Sequence, residues 1–250
     1  MCGRYVVKNP VYKTNKLVKS AIQVEDMENY NAHPYQKLPV IKKYKNGNTL
    51  ENLKWGLVPS WAKEKDFKAL INARLETIDE KISFKRLIKN TRCVAVADGF
   101  YEWRREEREK IPHYFAREDN KTIFFAAIYE EDQFCLITEE AKSNINEIHH
   151  RQPVILNQTD VNRYLNLQLQ GSAFLKDILL GGKQLNPAFL EDAPQPILPA
   201  STKTTSKLYF SIKLIAQSNP VYPPPITIIS ELISLDNFSK FKFSLEVSSQ

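Results

Sequence analysis

The chain has 250 residues, of which 42% are hydrophobic and 26% charged, too apolar for a disordered polymer and close to an ordinary globular composition. No apolar run approaches the ~18 residues of a membrane span, and Met1-Cys2-Gly3-Arg4-Tyr5 lacks the apolar stretch of a secretory signal. Lys and Arg exceed Asp and Glu by +6, a balance that favours polyanionic partners.

In chain order, the first clear element is a helix that Ser83 would cap, with Phe84, Leu87 and Ile88 on one face. Arg92-Cys93-Val94-Ala95-Val96-Ala97 follows, an almost continuous apolar run of strand length ended by Asp98-Gly99, which predicts a buried strand. Thr122 to Tyr129 and Gln133 to Thr138 are β-type runs separated by Glu130-Glu131-Asp132, the pattern of a hairpin. Thr138 then stands as an N-cap before Glu139 and Glu140, acids suited to a first turn, with the helix running towards Ile148. Thr159-Asp160 would cap a third helix through Tyr164 and Leu165. Paired strands with irregularly interspersed helices predict an α+β fold. From Ser201 to Lys207 the chain turns Ser/Thr/Lys-rich, and Tyr222-Pro223-Pro224-Pro225 suits neither helix nor central strand. Residues 201–250 are therefore read as a peripheral extension.

Three cysteines, Cys2, Cys93 and Cys135, lie too far apart for CxxC chemistry, so a reducing cytoplasm without a disulfide framework is expected. The seven glycines form neither GxGxxG nor GxxxxGKS, and no nucleotide cofactor is expected. His33 and His113 are isolated and no HExxH is present, so no metal site is expected.

Cys2 is the most informative residue. A side chain this small after the initiator permits removal of Met1, which would leave a free α-amine beside the thiol. Amine and thiol titrate near ~7.7–8.0 and ~8.5, so both are nucleophilic at neutral pH. With an aldehyde, the amine forms a Schiff base and the thiol closes on the imine carbon to give a thiazolidine. Glu102, in Asp98-Gly99-Phe100-Tyr101-Glu102-Trp103, follows the apolar strand among aromatics; desolvation there would raise its pKa into the range of proton transfer. A surface Glu paired with Arg104 or Arg105 is the plainer alternative. His149 and His150 end the Thr138 helix and suit either acid–base work or simple capping. Were the helix to continue, His150 would face about 100° away from His149. In Asn72-Ala73-Arg74-Leu75-Glu76, Asn72 can orient a nucleophile and Arg74 can bind phosphate, or Arg74 and Glu76 can form a surface pair. Trp55 and Trp61 bracket a turn and suit either base stacking or the core.

Together these segments resemble the SOS-response-associated peptidase family. Cys2-Gly3-Arg4-Tyr5, Trp55 to Ala62, Asn72 to Thr77, Asp98 to Trp103 and His149-His150-Arg151-Gln152-Pro153 occur in the family's order over residues 2–200. The resemblance implies a single domain, 1–200, of mostly antiparallel, barrel-like sheet flanked by helices. It implies a covalent thiazolidine crosslink between Cys2 and the ring-opened deoxyribose of an abasic site in single-stranded DNA, after autolytic removal of Met1. It further implies that Asn72 positions Cys2, Glu102 manages the amine proton and His149 assists sugar opening. Arg4, Arg74 and Arg151 would hold phosphates, Trp61 and Trp103 would stack on bases, and Asn31 to Gln36 would line the DNA channel. A monomer is expected. The chain departs from the family at Gln152, where the motif has Met, at Val96, where it has Pro, and over 199–205. An N-terminal-nucleophile peptidase using Cys2 with Glu102 or His149, or a non-catalytic single-stranded DNA-binding module, would use much the same residues.

Overall fold

The structure is a computed structural model describing residues 2–64, 66–106, 109–117, 119–169, 177–179 and 187–189. The expected extension, 201–250, lies outside the described residues.

Runs such as Arg92–Ala97 and Ile123–Glu130 carry apolar side chains on both faces, and burying both requires a layer on each side. The strands are β1 (Arg4–Lys8), β2 (Ser20–Ile22), β3 (Glu28–Ala32), β4 (Lys37–Tyr44), β5 (Gly47–Trp55), β6 (Asn72–Arg74), β7 (Arg92–Ala97), β8 (Gly99–Glu106), β9 (Glu109–Arg117), β10 (Ile123–Glu130), β11 (Gln133–Glu140), β12 (Arg151–Pro153), β13 (Ile155–Leu156) and β14 (Pro187–Phe189). The helices are α1 (Pro10–Thr14), α2 (Lys85–Asn90), α3 (Ser143–Ile148) and α4 (Gln158–Leu165).

The larger sheet runs β12-β11-β10-β7-β4-β5-β2, antiparallel from β12 to β5. It curls until Gln133 and Phe134 of β11 pair in parallel with Lys54 and Trp55 of β5, closing a ring. The smaller sheet, β14-β9-β8-β1-β3, is antiparallel throughout. The fold is thus α+β, mostly antiparallel and barrel-like.

Alternation decides which layer each residue meets. Val94, Val96, Phe124 and Ile137 pack with Leu87 and Ile88 of α2 and Tyr164 of α4. Cys93, Ala95, Ala97 and Phe125 turn the other way and cluster with Tyr5, Phe100 and Phe115 of the smaller sheet. Small residues at 93, 95 and 97 leave room for rings: Tyr5 sits 5.2 Å from Trp55 and 5.8 Å from Phe125, centre to centre. Buried Arg92 donates to the carbonyls of Ile88 (3.3 Å), Asn166 (2.6 Å) and Leu169 (3.2 Å), serving the C-terminal ends of α2 and α4.

The Asp98-Gly99 bend has a mechanical reason. The Asp98 carboxylate accepts the Lys8 backbone N–H at 2.6 Å and pairs with Lys13, tying β1 and α1 to the start of β8. A side chain at Gly99 would collide with the ring of Tyr114.

The expected strand at 92–97 and the hairpin are present, with Glu131 in the left-handed region (φ 54°) at the hairpin turn. The expected caps are corrected. Thr138 does not start a helix: β11 continues to Glu140 because it pairs with β12, and α3 begins after Lys142. Phe84, not Ser83, occupies the N-cap of α2 and no side chain caps it, although Phe84, Leu87 and Ile88 are buried as the periodicity requires. Asn157, not Thr159, precedes α4, and its amide reaches Asp160 in the first turn at 3.4 Å.

Candidate active site

The site gathers where the segment before β1 meets β6, β8 and the turn after α3. Antiparallel pairing with β8 places Arg4 opposite Tyr101 and Tyr5 opposite Phe100, which draws the residues just before β1 into the interior. Cys2 is fully buried there. Burial above all, and the negative charge of Glu102 next, push its thiol well above the ordinary range. Asn72 opens β6, which pairs in parallel with β11, and its side-chain N–H donates to the Cys2 carbonyl at 3.0 Å. The Asn72 Oδ1 is buried with no hydrogen-bond partner among the described residues.

Glu102 shares the inner face of β8 with Phe100, two positions earlier. It is 2% exposed, and burial raises its carboxyl from the usual 4.5 to about 7. This desolvation was expected, but its source is corrected. Tyr101 and Trp103 alternate to the opposite face, where they pack with Val6, Tyr114 and Ala116. They do not enclose the carboxyl.

His149 follows α3 in extended conformation, with Nδ1 3.9 Å from Glu102 Oε1. Burial lowers its pKa, so the imidazole is mainly neutral at pH 7. Because the helix stops at Ile148, His150 is not rotated away on a continuing helix; the two rings stack at 4.5 Å. Cys2, Asn72, Glu102 and His149 are therefore brought together from four distant segments. A neutral thiol, an amide, a carboxyl poised near neutrality and a neutral imidazole form a set that can relay protons beside a cysteine.

The residues expected to meet DNA divide. Arg74 is exposed at the end of β6. Arg4 is partly buried; one terminal nitrogen donates to the Gly3 carbonyl at 2.8 Å, while Nε is buried without a hydrogen bond among the described residues. Arg151, expected to hold phosphate, already has partners within the protein. Its guanidinium grips Glu76 in two-pronged fashion at 2.7 and 3.0 Å and donates to the Thr138 carbonyl at 2.7 Å. Glu76 is thus the partner of Arg151 rather than of Arg74. Of the two tryptophans around the turn, Trp55 is core, its indole N–H donating to the Ile71 carbonyl at 2.9 Å. Trp61 is 46% exposed and meets Phe67 edge-on. Of residues 31–36, Asn31 and Ala32 end β3; in the turn that follows, Tyr35 is exposed and Gln36 accepts from the Asn29 amide at 3.1 Å and the His33 backbone at 3.2 Å.

Tyr5 was not singled out as a chemical group by sequence reasoning. Its hydroxyl is buried without a hydrogen-bond partner among the described residues, in the cluster that contains Cys2. Period-two counting along β1 would have turned it inward, but nothing local says that a buried cysteine waits there.

Fold and site define a protein with a buried cysteine at position 2 set among amide, carboxyl and imidazole beside a closed ring of strands. The model of the SOS response associated peptidase (SRAP) family matches residues 1–187, and the chain belongs to that family. It is similar to the abasic site processing protein YoaM of Bacillus subtilis, 36% identical over 194 residues, spanning 72% of this chain and 86% of the relative. The abasic site processing protein YedK of Escherichia coli is 29% identical over 185 residues, spanning 68% and 82% of the two chains. Among solved structures, a protein of Bacteroides thetaiotaomicron superposes with a TM-score of 0.63 at 27% identity, covering 71% of this chain and 86% of that one.

Proposed function

We propose that this protein processes abasic sites in single-stranded DNA by forming a thiazolidine between Cys2 and the ring-opened deoxyribose, after loss of Met1. The observation that carries the reading is the convergence of Cys2, Asn72, Glu102 and His149 in one buried site. The relatives are named for abasic-site processing, which supports the same substrate.

The protonation states order the steps. A thiol held neutral by burial is a poor first nucleophile, so the α-amine of Cys2 attacks the aldehyde carbon. An α-amine ordinarily titrates near ~7.7–8.0 and burial raises Glu102 to about 7, so the carboxylate is a suitable acceptor for the ammonium proton. Water leaves to give the imine. Sγ then adds to the imine carbon and the thiol proton ends on the ring nitrogen, so nothing is oxidised and one water is lost in all. Neutral His149 takes the anomeric hydroxyl proton as the closed deoxyribose opens, and the imidazolium so formed returns it to the ring oxygen. Asn72 holds the Cys2 carbonyl throughout, and its Oδ1 is placed to accept from the incoming partner or the free amine. A buried nucleophile favours an unpaired lesion, which swings out of the strand at little cost. Arg4 and Arg74 meet the flanking phosphates.

Intact-mass analysis after mixing with single-stranded DNA containing an abasic site tests the reading. The expected adduct has the mass of the protein without Met1 plus the DNA, less one water, and is absent in Cys2→Ala. An adduct that retains Met1 would overturn the mechanism, since an amide nitrogen cannot form the imine. No adduct at all would overturn the function.

A further inference from the structure

His149 is separated from β12 by one residue, so its ring is only as well placed as the α3–β12 turn. That turn is closed at its base by the Ala141 backbone N–H donating to the His150 carbonyl at 3.0 Å. Gln152, the position where the chain departs from the resembled motif, makes a second closure. It is buried and lies opposite Glu139 across β11 and β12. Its Oε1 accepts the Lys142 backbone N–H at 2.9 Å, at the residue just before α3. Its Nε2 donates to Glu139 Oε1 at 3.0 Å, and the other oxygen of Glu139 takes the Lys142 ammonium at 2.9 Å. One side chain therefore joins the start of α3 to the strand that follows His149.

The consequence lies at the ring. Nδ1 of His149 sits 3.0 Å from the Arg151 backbone nitrogen and 3.1 Å from the Arg151 carbonyl oxygen. When the neutral ring accepts the Arg151 N–H at Nδ1, its own proton resides on Nε2. In the protonated ring, Nδ1–H donates to the carbonyl. One residue's backbone serves both states, so the ring can give and take a proton without rotating.

We infer that Gln152 is a positioning residue for His149, holding the turn so that the Arg151 backbone stays against Nδ1; its kinetic consequence rests on the abasic-site reaction proposed above. A methionine here has no oxygen for the Lys142 N–H and no N–H for Glu139, so both buried partners lose a bond. The register of β12 and the end of α3 then loosen together.

The test exploits the task assigned to His149, which is sugar opening. Gln152→Met is mixed at saturating concentration with single-stranded DNA carrying a deoxyribose abasic site. It is mixed in parallel with the same strand carrying a linear aldehyde that has no hydroxyl able to close on it. Crosslinking to the abasic strand is expected to slow about tenfold, less than the full loss of a general acid, while the linear aldehyde reacts within about twofold of wild type. Gln152→Glu sets two carboxylates together and is expected to slow the abasic strand similarly. Adding Glu139→Gln restores donor and acceptor and should bring the rate back to within about twofold of wild type. Nitrogen–proton NMR of the full chain without DNA reads the ring directly: His149 is expected as the Nε2–H tautomer in wild type and as mixed tautomers in Gln152→Met. Equal slowing on both strands, or a tautomer unchanged by Gln152→Met, would overturn the positioning role. A wild type that crosslinks neither strand overturns the functional reading instead, while the tautomer measurement still decides whether Gln152 holds the ring.

Discussion

On one face of β7, Val94 and Val96 pack with α2 and α4 in a layer whose polar groups are mostly provided for: Tyr164 donates to the Ala127 carbonyl at 2.9 Å, and both terminal nitrogens of Arg92 donate to carbonyls at the helix ends, although its Nε is buried without a hydrogen bond among the described residues. On the other face, Cys93, Ala95 and Ala97 share a cluster with Cys2 and Tyr5, where the Tyr5 hydroxyl and Asn72 Oδ1 are buried without partners among the described residues. Each such group costs ~1–3 kcal/mol in the folded state. Glu102 adds the cost of holding an ionised carboxyl in a dry place. The difference teaches where the molecule keeps its stability and where it gives stability up. The helix-covered face holds the fold, and the face towards the smaller sheet carries unsatisfied groups that a reacting partner can satisfy.

Glu102→Gln probes the costly face and should have the largest effect. Single-turnover crosslinking at saturating DNA is expected to fall ~10²–10⁴-fold. Stability should move the other way. With a folded pKa of about 7 against an ordinary 4.5, the folded state keeps a proton that the unfolded chain has released. Wild-type stability is therefore full below about pH 4.5 and declines as pH rises through 7, by on the order of 3 kcal/mol. Glu102→Gln lacks this decline, so urea unfolding at pH 8 should find it more stable than wild type. Wild-type stability that is flat between pH 5 and 8 would break the contrast between the faces.

Leu87→Ala probes the opposite face. Truncating this buried side chain of α2 is expected to cost ~2–5 kcal/mol by denaturant unfolding while the crosslinking rate of the folded protein stays at the wild-type level. A slowed reaction in a fully folded sample would mean that the two faces are coupled.

The arginines sharpen the contrast at smaller scale. Arg151→Ala should destabilise by about 1–2 kcal/mol, because it removes the partner of the half-exposed Glu76, and should leave the salt dependence of DNA binding unchanged. Arg74→Ala should leave stability within about 0.5 kcal/mol but reduce the salt slope by about one. Exchange of these two outcomes would make Arg151, not Arg74, the phosphate contact. Smallest is Trp61→Ala, expected to weaken single-stranded DNA binding by about 1 kcal/mol across sequences without moving the unfolding midpoint. Binding titrations on two strands of different composition decide it.

Much of this was legible in the chain itself. An apolar run as continuous as Cys93 to Ala97 has one stable solution, a strand covered on both sides, and the 122–138 pattern closes locally into a hairpin. Cys2, Asn72, Glu102 and His149 each had a plainer reading alone; their order along the chain, through its resemblance to the family, singled them out, and the structure brings them together. The spacing of Phe84, Leu87 and Ile88 made a buried helix face visible as well.

What tertiary structure alone decided follows from pairing at long range. Arg151 meets Glu76 across 75 positions of chain, and no local pattern distinguishes it from exposed Arg74. Thr138 reads as a helix cap until β12 arrives to pair with β11 and extends the strand through Glu140. Tyr101 and Trp103 flank Glu102 in sequence, yet alternation along β8 sends them to the opposite face. Composition and period set by nearest neighbours belong to the sequence. Which face is dry, which cation is already paired and which way a ring is held depend on strand register, where a slip of one residue exchanges the two faces.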